Sequence, residues 1–267
     1  MCVTFLYLNA DAVGDANKYQ LIVLNNRDED FDRPTSLAAW QEGILAGRDE
    51  ALPNERGGTW LGVKRDGRVG ILLSMLEKNS LIIPGAPTRG RIVNEYLNSG
   101  CSAEEYGERI AECAHAFNGF NLLLLDRQDI LIYLFRIYGF GNSRRQTPFK
   151  KVRHGTRLLE EKIKQLNGRP KNELIEEFIR ILRDDTCHHP DEQLLSQTDQ
   201  PEECSKEMSK LFYRFPPPFR YGTRSHTVVL IDGFGHVNYL ERSQIPPSKD
   251  FENISWVDSV YEFDILD

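Results

Sequence analysis

The chain has 267 residues, 40% of them hydrophobic, enough for one large α/β domain or two small ones with a sizeable core. Its net charge of −7 disfavours nonspecific contact with a phosphate backbone, so nucleic acid is not an expected partner. No apolar run approaches the roughly 20 residues that span a bilayer, the first residues read as neither a signal peptide nor a mitochondrial presequence, and five cysteines without a C-x-x-C pair argue for a reducing compartment over a disulfide framework.

In chain order, residues 2–8 read as a buried strand, 9–18 as a turn, and 19–25 as the partner strand of a hairpin. Pro34 closes this segment. Residues 43–48 and 58–63 read as short strands, with Gly57-Gly58 as a flexible junction. Residues 68–76 form another strand after the Asp66-Gly67 turn, and 79–91 read as loop. Ser102 and Glu105 make a capping box. Tyr106, Ile110, Cys113, Ala114 and Phe117 then fall on one helical face. Residues 119–125 and 129–137 read as a strand pair joined across Asp126-Arg127-Gln128. Residues 155–183 read as two helices broken at Gly168-Arg169-Pro170. Leu158, Leu159, Ile163 and Leu166 face inward in the first, and Leu174, Ile175, Phe178, Ile179 and Leu182 in the second. Residues 184–207 are polar and read as a mobile loop. A last hairpin pairs 225–231 with 236–242 across Asp232-Gly233, and a final strand lies near 257–263. Strands come first and last and helices gather mid-chain. Several connections are too short for parallel crossovers. The pattern predicts a layered α+β fold of largely antiparallel sheet in a single domain over 1–267.

Cys2 directly follows Met1. If Met1 is trimmed, Cys2 carries a thiol and a free α-amine, whose unperturbed pKa of about 8 suits it as a base for its own side chain. A hairpin brings Arg27 and Asp28 toward Cys2, where Arg27 would lower the thiol pKa and Asp28 would orient the amine. The alternative is a small buried cysteine beside a structural Arg–Asp pair. Cys187-His188-His189 with Asp184, Asp185 and Asp191 reads as solvated loop, because adjacent ligands seldom converge on a metal. The cluster Arg144-Arg145, Lys150-Lys151 and Arg153 reads as a charged face, with phosphate contact as its alternative. Gly57-Gly58-Thr59-Trp60 lacks the helix start of a phosphate loop and reads as a turn where backbones approach closely, with Trp60 in the core. Trp40 and Trp256 also read as core.

Met1-Cys2 before a strand and Asn26-Arg27-Asp28-Glu29 after one resemble the NRDE family, whose animal members are called transport and Golgi organisation protein 2. The likeness continues through Arg33-Pro34, Gly57-Gly58-Thr59-Trp60-Leu61-Gly62, Gly90-Arg91, Asn118-Gly119-Phe120-Asn121-Leu122, Tyr138-Gly139 with Asn142, Thr147-Pro148 and Tyr221-Gly222-Thr223-Arg224. It spans nearly the whole chain. It implies an α+β, N-terminal-nucleophile-hydrolase-like αββα sandwich of two mainly antiparallel sheets. It also implies a site in which a freed Cys2 attacks a carbon–nitrogen amide bond, Asn142 donates to the oxyanion and Arg224 closes the pocket. This sequence departs at Leu73-Ser74, where the family usually has Thr-Asn, so one amide donor is missing.

The resemblance also implies haem trafficking out of haem-rich compartments, Golgi organisation and secretion, and lipid or acyl-coenzyme-A homeostasis. The compartment it implies is cytoplasmic, associated with mitochondria, Golgi or lysosome-related organelles through peripheral contact and without a transmembrane segment. Haem needs an axial ligand and an apolar slot with cations for its propionates. His226, beside Arg224, is the first axial candidate, with His115 and Cys2 behind it; an ordinary strand-end histidine is the alternative. The leading expectation is a non-catalytic or weakly catalytic haem-trafficking factor, with haem as a transported ligand, no required cofactor and no metal. A cysteine amidohydrolase acting on acyl-amides or acyl-thioesters, and a peripheral membrane-traffic factor, are the alternatives.

Overall fold

The first strand, β1 (Val3–Leu8), is buried along its whole length because it serves two cores at once. Val3, Phe5 and Tyr7 face a helical layer, while Leu6 and Leu8 face a second sheet. The next strand, β2 (Tyr19–Asp30), repeats the alternation, with Ile22 and Leu24 on one side and Leu21 and Val23 on the other. Period-2 chains of this kind, apolar on both faces, fit only between layers. These details come from a computed structural model that describes residues 1–51, 57–127, 136–166, 169–245 and 254–266.

The first sheet is completed by β8 (Arg136–Phe140), β9 (Tyr221–Asp232), β10 (His236–Gln244) and β11 (Trp256–Asp264), in the order β11-β10-β9-β2-β1-β8. The second contains β3 (Thr35–Gln41), β4 (Ile44–Asp49), β5 (Leu61–Lys64), β6 (Val69–Ser74) and β7 (Phe120–Leu125) in sequence order. Every recorded pairing is antiparallel. The sheets meet through Leu45, Val63 and Ile71 on one side and Val23, Val229 and Tyr239 on the other.

Helices α1 (Gly90–Ser99) and α2 (Ala103–Cys113) cover the second sheet through Val93, Tyr96 and Tyr106. Helices α3 (Lys150–Ile163) and α4 (Lys171–Leu182) cover the first through Val152, Leu159, Leu174 and Phe178. This is the αββα layering that the resemblance implied. The Ser102–Glu105 capping box opens α2 as expected, and all five residues assigned to the inner face of α4 are buried.

Several expectations need correction. Helix α1 lies where no helix was anticipated, and strand β3 follows Pro34 where none was expected. Residues 184–207 form an ordered strap: α5 (Glu192–Ser196) is capped by Asp191, and α6 (Glu202–Met208) buries Cys204 and Met208. Cys113 is exposed, because α2 ends there and the chain tightens into a 3-10 turn. Lys151 belongs to no surface patch; it is fully buried on the inner face of α3. Residues 129–135 of the expected strand, Gln128 in its turn and Gly168 between the helices fall outside the described residues.

Candidate functional site

The β1–β2 register pairs Val3 with Asn26, so Cys2 lies one step beyond the ladder, beside Arg27 and Asp28. An irregularity between Arg27 and Asp28 in the β2–β9 pairing turns the chain there. The Cys2 Sγ lies 3.4 Å from the Asp28 amide N–H and 3.8 Å from its carbonyl. The amine of Met1 sits 3.2 Å from Asp28 Oδ2 and donates to the hydroxyls of Tyr213, at 2.6 Å, and Tyr221, at 3.2 Å. Tyr221 in turn donates to the Asp28 carbonyl at 3.1 Å. Lys151 Nζ lies 5.3 Å from the centre of the Tyr213 ring and has no hydrogen-bond partner among the described residues.

Burial governs the electrostatics. It lowers the Met1 amine below its ordinary value of 8.0, with Asp28 pulling the other way. It lowers Lys151 as well, again against Asp28. It raises the Cys2 thiol; the adjacent amine opposes that rise and Asp28 adds to it. Burial also raises Tyr213 and Tyr221 well above 10.0, so both hydroxyls stay protonated. One carboxylate therefore stands against two buried amines in a site with little water to share the charge.

Cys2, Arg27 and Asp28 open onto a cleft of about 370 Å³, walled by Trp60 and Leu72 and rimmed by Arg33, Arg89 and Arg91. The Arg27 guanidinium stacks 4.2 Å from the Trp60 ring centre and donates to Thr35 Oγ1, at 2.9 Å, and Asp49 Oδ2, at 3.0 Å. Arg33 Nε meets the same Asp49 oxygen at 2.6 Å. Arg89 Nη1 is anchored on the Gly119 carbonyl, also at 2.6 Å. The cleft keeps its shape because Gly58 crosses Gly90 backbone to backbone, and the Thr59 N–H donates to the Gly90 carbonyl at 2.9 Å. Gly57-Gly58 is thus a close approach, as the second of its two readings had it.

The remaining candidates lie outside this cleft. Asn142 is buried behind Ser74, and its amide donates to the Ser74 carbonyl. One donor expected for an oxyanion is thereby committed to the backbone, while Ser74 itself lines the cleft. Arg224 donates to the carbonyls of Asp30 and Arg33 and to Thr35 Oγ1. Burial, with Arg27 nearby, lowers it to about 10. His226 is not at a pocket mouth: it faces the helical layer, where Nδ1 lies 2.7 Å from Asn26 Oδ1 and Nε2 accepts from Arg183 Nε at 3.2 Å. Both ring nitrogens are engaged, and burial holds the ring neutral. His115 is exposed on the 3-10 turn after α2. The Cys2 thiol is raised overall, not lowered; the Arg27 charge faces Asp49 and Trp60, and the adjacent amine supplies the main opposing effect. Sequence reasoning missed Lys151, Tyr213 and Tyr221. The available signal was the spacing of Lys151 with Gly155, Leu159 and Ile163, which places a lysine on the buried stripe of α3.

Residues 1–246 match the family model described as Transport and Golgi organisation 2. The chain is 30% identical over 282 residues to the mouse Transport and Golgi organization 2 homolog, covering 98% of this chain and 99% of that protein. It is 29% identical over 283 residues to the human homolog, with the same coverage. It is 28% identical over 268 residues to the Drosophila melanogaster protein, covering 91% and 92%. Among solved structures it is similar to the C2A mutant of conjugated bile acid hydrolase from Clostridium perfringens. That likeness has a TM-score of 0.47 at 9% identity over 98% of this chain and 96% of that one, and says nothing of chemistry.

Proposed function

Since the chain belongs to the transport and Golgi organisation 2 family, we propose that its cleft receives and releases a small amphipathic ligand without turning it over, and that this ligand is haem. The observation that carries this reading is the state of the Cys2 thiol. In the chain that bears Met1, the Cys2 nitrogen is a peptide nitrogen, the free amine is tied to Asp28 and two tyrosines, and burial keeps the thiol protonated. A protonated thiol is a poor nucleophile and a weak ligand for ferric iron, which suits a carrier that must let go. Of the three axial candidates, only Cys2 faces the cleft, and Arg33, Arg89 and Arg91 at its rim suit the propionates.

The test is a ferric haem titration followed at the Soret band. A saturable shift that Cys2→Ala weakens and His226→Ala leaves alone is expected. Absence of a saturable shift, or dependence on His226 instead of Cys2, removes the reading.

A second reading, a cysteine amidohydrolase, is favoured by one observation: Cys2, Arg27 and Asp28 share a cleft. It requires removal of Met1, so sequencing the mature amino terminus and measuring Cys2 alkylation against pH decides it. An intact Met1 with a high thiol pKa ends that reading. The relatives' names suggest a third, a peripheral part in Golgi organisation. No helix among the described residues is long and apolar enough to cross a membrane, so liposome flotation at low salt tests direct lipid contact.

A further inference from the structure

Behind the Arg27–Trp60 stack lies a second chamber of about 270 Å³ that shares only that pair with the cleft. Its floor is a row across four strands. Arg27 stands opposite Ser225, Ser225 opposite Ser243, and Ser243 opposite Val257, so all four side chains point to the same side of the sheet. No aspartate or glutamate is among its described lining residues, and Ser243 donates to the buried Glu241 beneath the floor at 3.2 Å.

Two guanidinium groups meet at this floor, both donating to Thr35 Oγ1. Arg27 is balanced by Asp49. Arg224, 5% exposed, is held by carbonyls and a hydroxyl, and forms no ion pair among the described residues. Ser225, 3% exposed, has a hydroxyl without a hydrogen-bond partner among the described residues, and the indole N–H of Trp60 is equally unmet there. Buried polar atoms are rarely left unpaired unless something else meets them. The chamber therefore combines a cation without a direct ion pair among the described residues, unmet polar atoms on Trp60, Ser225 and Gln244, and apolar walls. The walls carry much hydrocarbon, which a phosphate would leave unfilled; a monoanion with an apolar body matches both the cation and the walls.

We infer that this chamber binds a small monocarboxylate, its carboxylate held by the Arg224 guanidinium and the Ser225 hydroxyl and its compact apolar body packed against Leu37, Trp60 and Val257. The site is separate from the thiol, and its occupant is bound and not transformed. Its existence does not depend on the haem reading.

The probe is benzoate, with benzamide as a neutral molecule of the same shape. The full chain is labelled with ¹⁵N at its three tryptophan indoles, and the Trp60 resonance is assigned with Trp60→Phe. Benzoate should shift that resonance saturably, with benzamide at least about tenfold weaker. Ser225→Ala should weaken benzoate several-fold. Leu37→Trp, at a position 46% exposed and so tolerant of a larger side chain, should fill the chamber and abolish the shift. No saturable shift up to about 10 mM benzoate, equal binding of benzamide, or unchanged binding in Leu37→Trp would each overturn the inference.

Discussion

Lys151 offers a sharp test of the electrostatics around the amino terminus. It is fully buried, and its side-chain nitrogen has no hydrogen-bond partner among the described residues. Replacing it with Met keeps the volume and removes the nitrogen. A buried amine without a partner costs about 1–3 kcal/mol, and removing a buried charge in favour of an apolar side chain is often stabilising. Lys151→Met should therefore raise stability by about 1–3 kcal/mol at pH 7, and the Tm by about 2–10 °C for a chain of this size. The pH dependence fixes the cause. Burial lowers the folded-state pKa of Lys151 below 10.5, so between that lowered value and 10.5 the unfolded chain binds a proton that the native chain does not. Stability contributed by this group then rises with pH across that window. In the variant this part of the slope should vanish, and the gap between the two proteins should narrow toward pH 10. Calorimetric or urea melts at pH 6, 7.5 and 9 give both quantities. Destabilisation by more than about 1 kcal/mol with an unchanged slope would refute the reasoning, because it would mean that Lys151 is charged and paired in the fold.

Three further outcomes are expected. Gly58→Ala would place a Cβ 2.8 Å from the Gly90 Cα; it should cost about 1–3 kcal/mol in urea unfolding, whereas Gly90→Ala, at 3.2 Å from Gly58, should cost less. In alkylation mapped by mass spectrometry at pH 8, Cys187 should react before Cys2, since the Ser209 hydroxyl beside Cys187 lowers its thiol and burial raises Cys2; Cys2 reacting first would contradict this. Burial keeps His226 neutral, so below the usual histidine value the unfolded chain gains a proton that the native ring refuses. Stability contributed by His226 should fall as pH drops through about 6.5, and acid melts of His226→Gln should show a shallower loss.

The hairpins and the inner face of α4 were legible because burial on one or both faces writes a clear period into the sequence, and the convergence of Cys2 with Arg27 and Asp28 followed from the same hairpin. Helix α1 was hidden by its start: Arg89 supplies no side-chain cap, and Gly90 and two nearby prolines signal loop. Strand β3 was hidden because it lies at a sheet edge and Ala38 is its one buried residue, while Leu37 stays exposed and Trp40, packed against the inter-sheet core, is only partly buried. The strap at 184–207 is held by contacts distant in sequence, such as Lys150 N–H to Asp191 at 2.6 Å, which local pattern cannot carry. The same applies to Tyr213 and Tyr221, which reach the amino terminus from the far end of the chain.

That separation bears on the order of events during synthesis. The two hydroxyls that hold the Met1 amine lie 212 and 220 residues downstream. At about 5–20 residues per second, a ribosome needs roughly 10–45 s to reach them. Through that interval the nascent terminus stands open to aminopeptidases and acetyltransferases, and once β9 pairs with β2 it closes. A change at the first residue is therefore easier before that contact closes than after it.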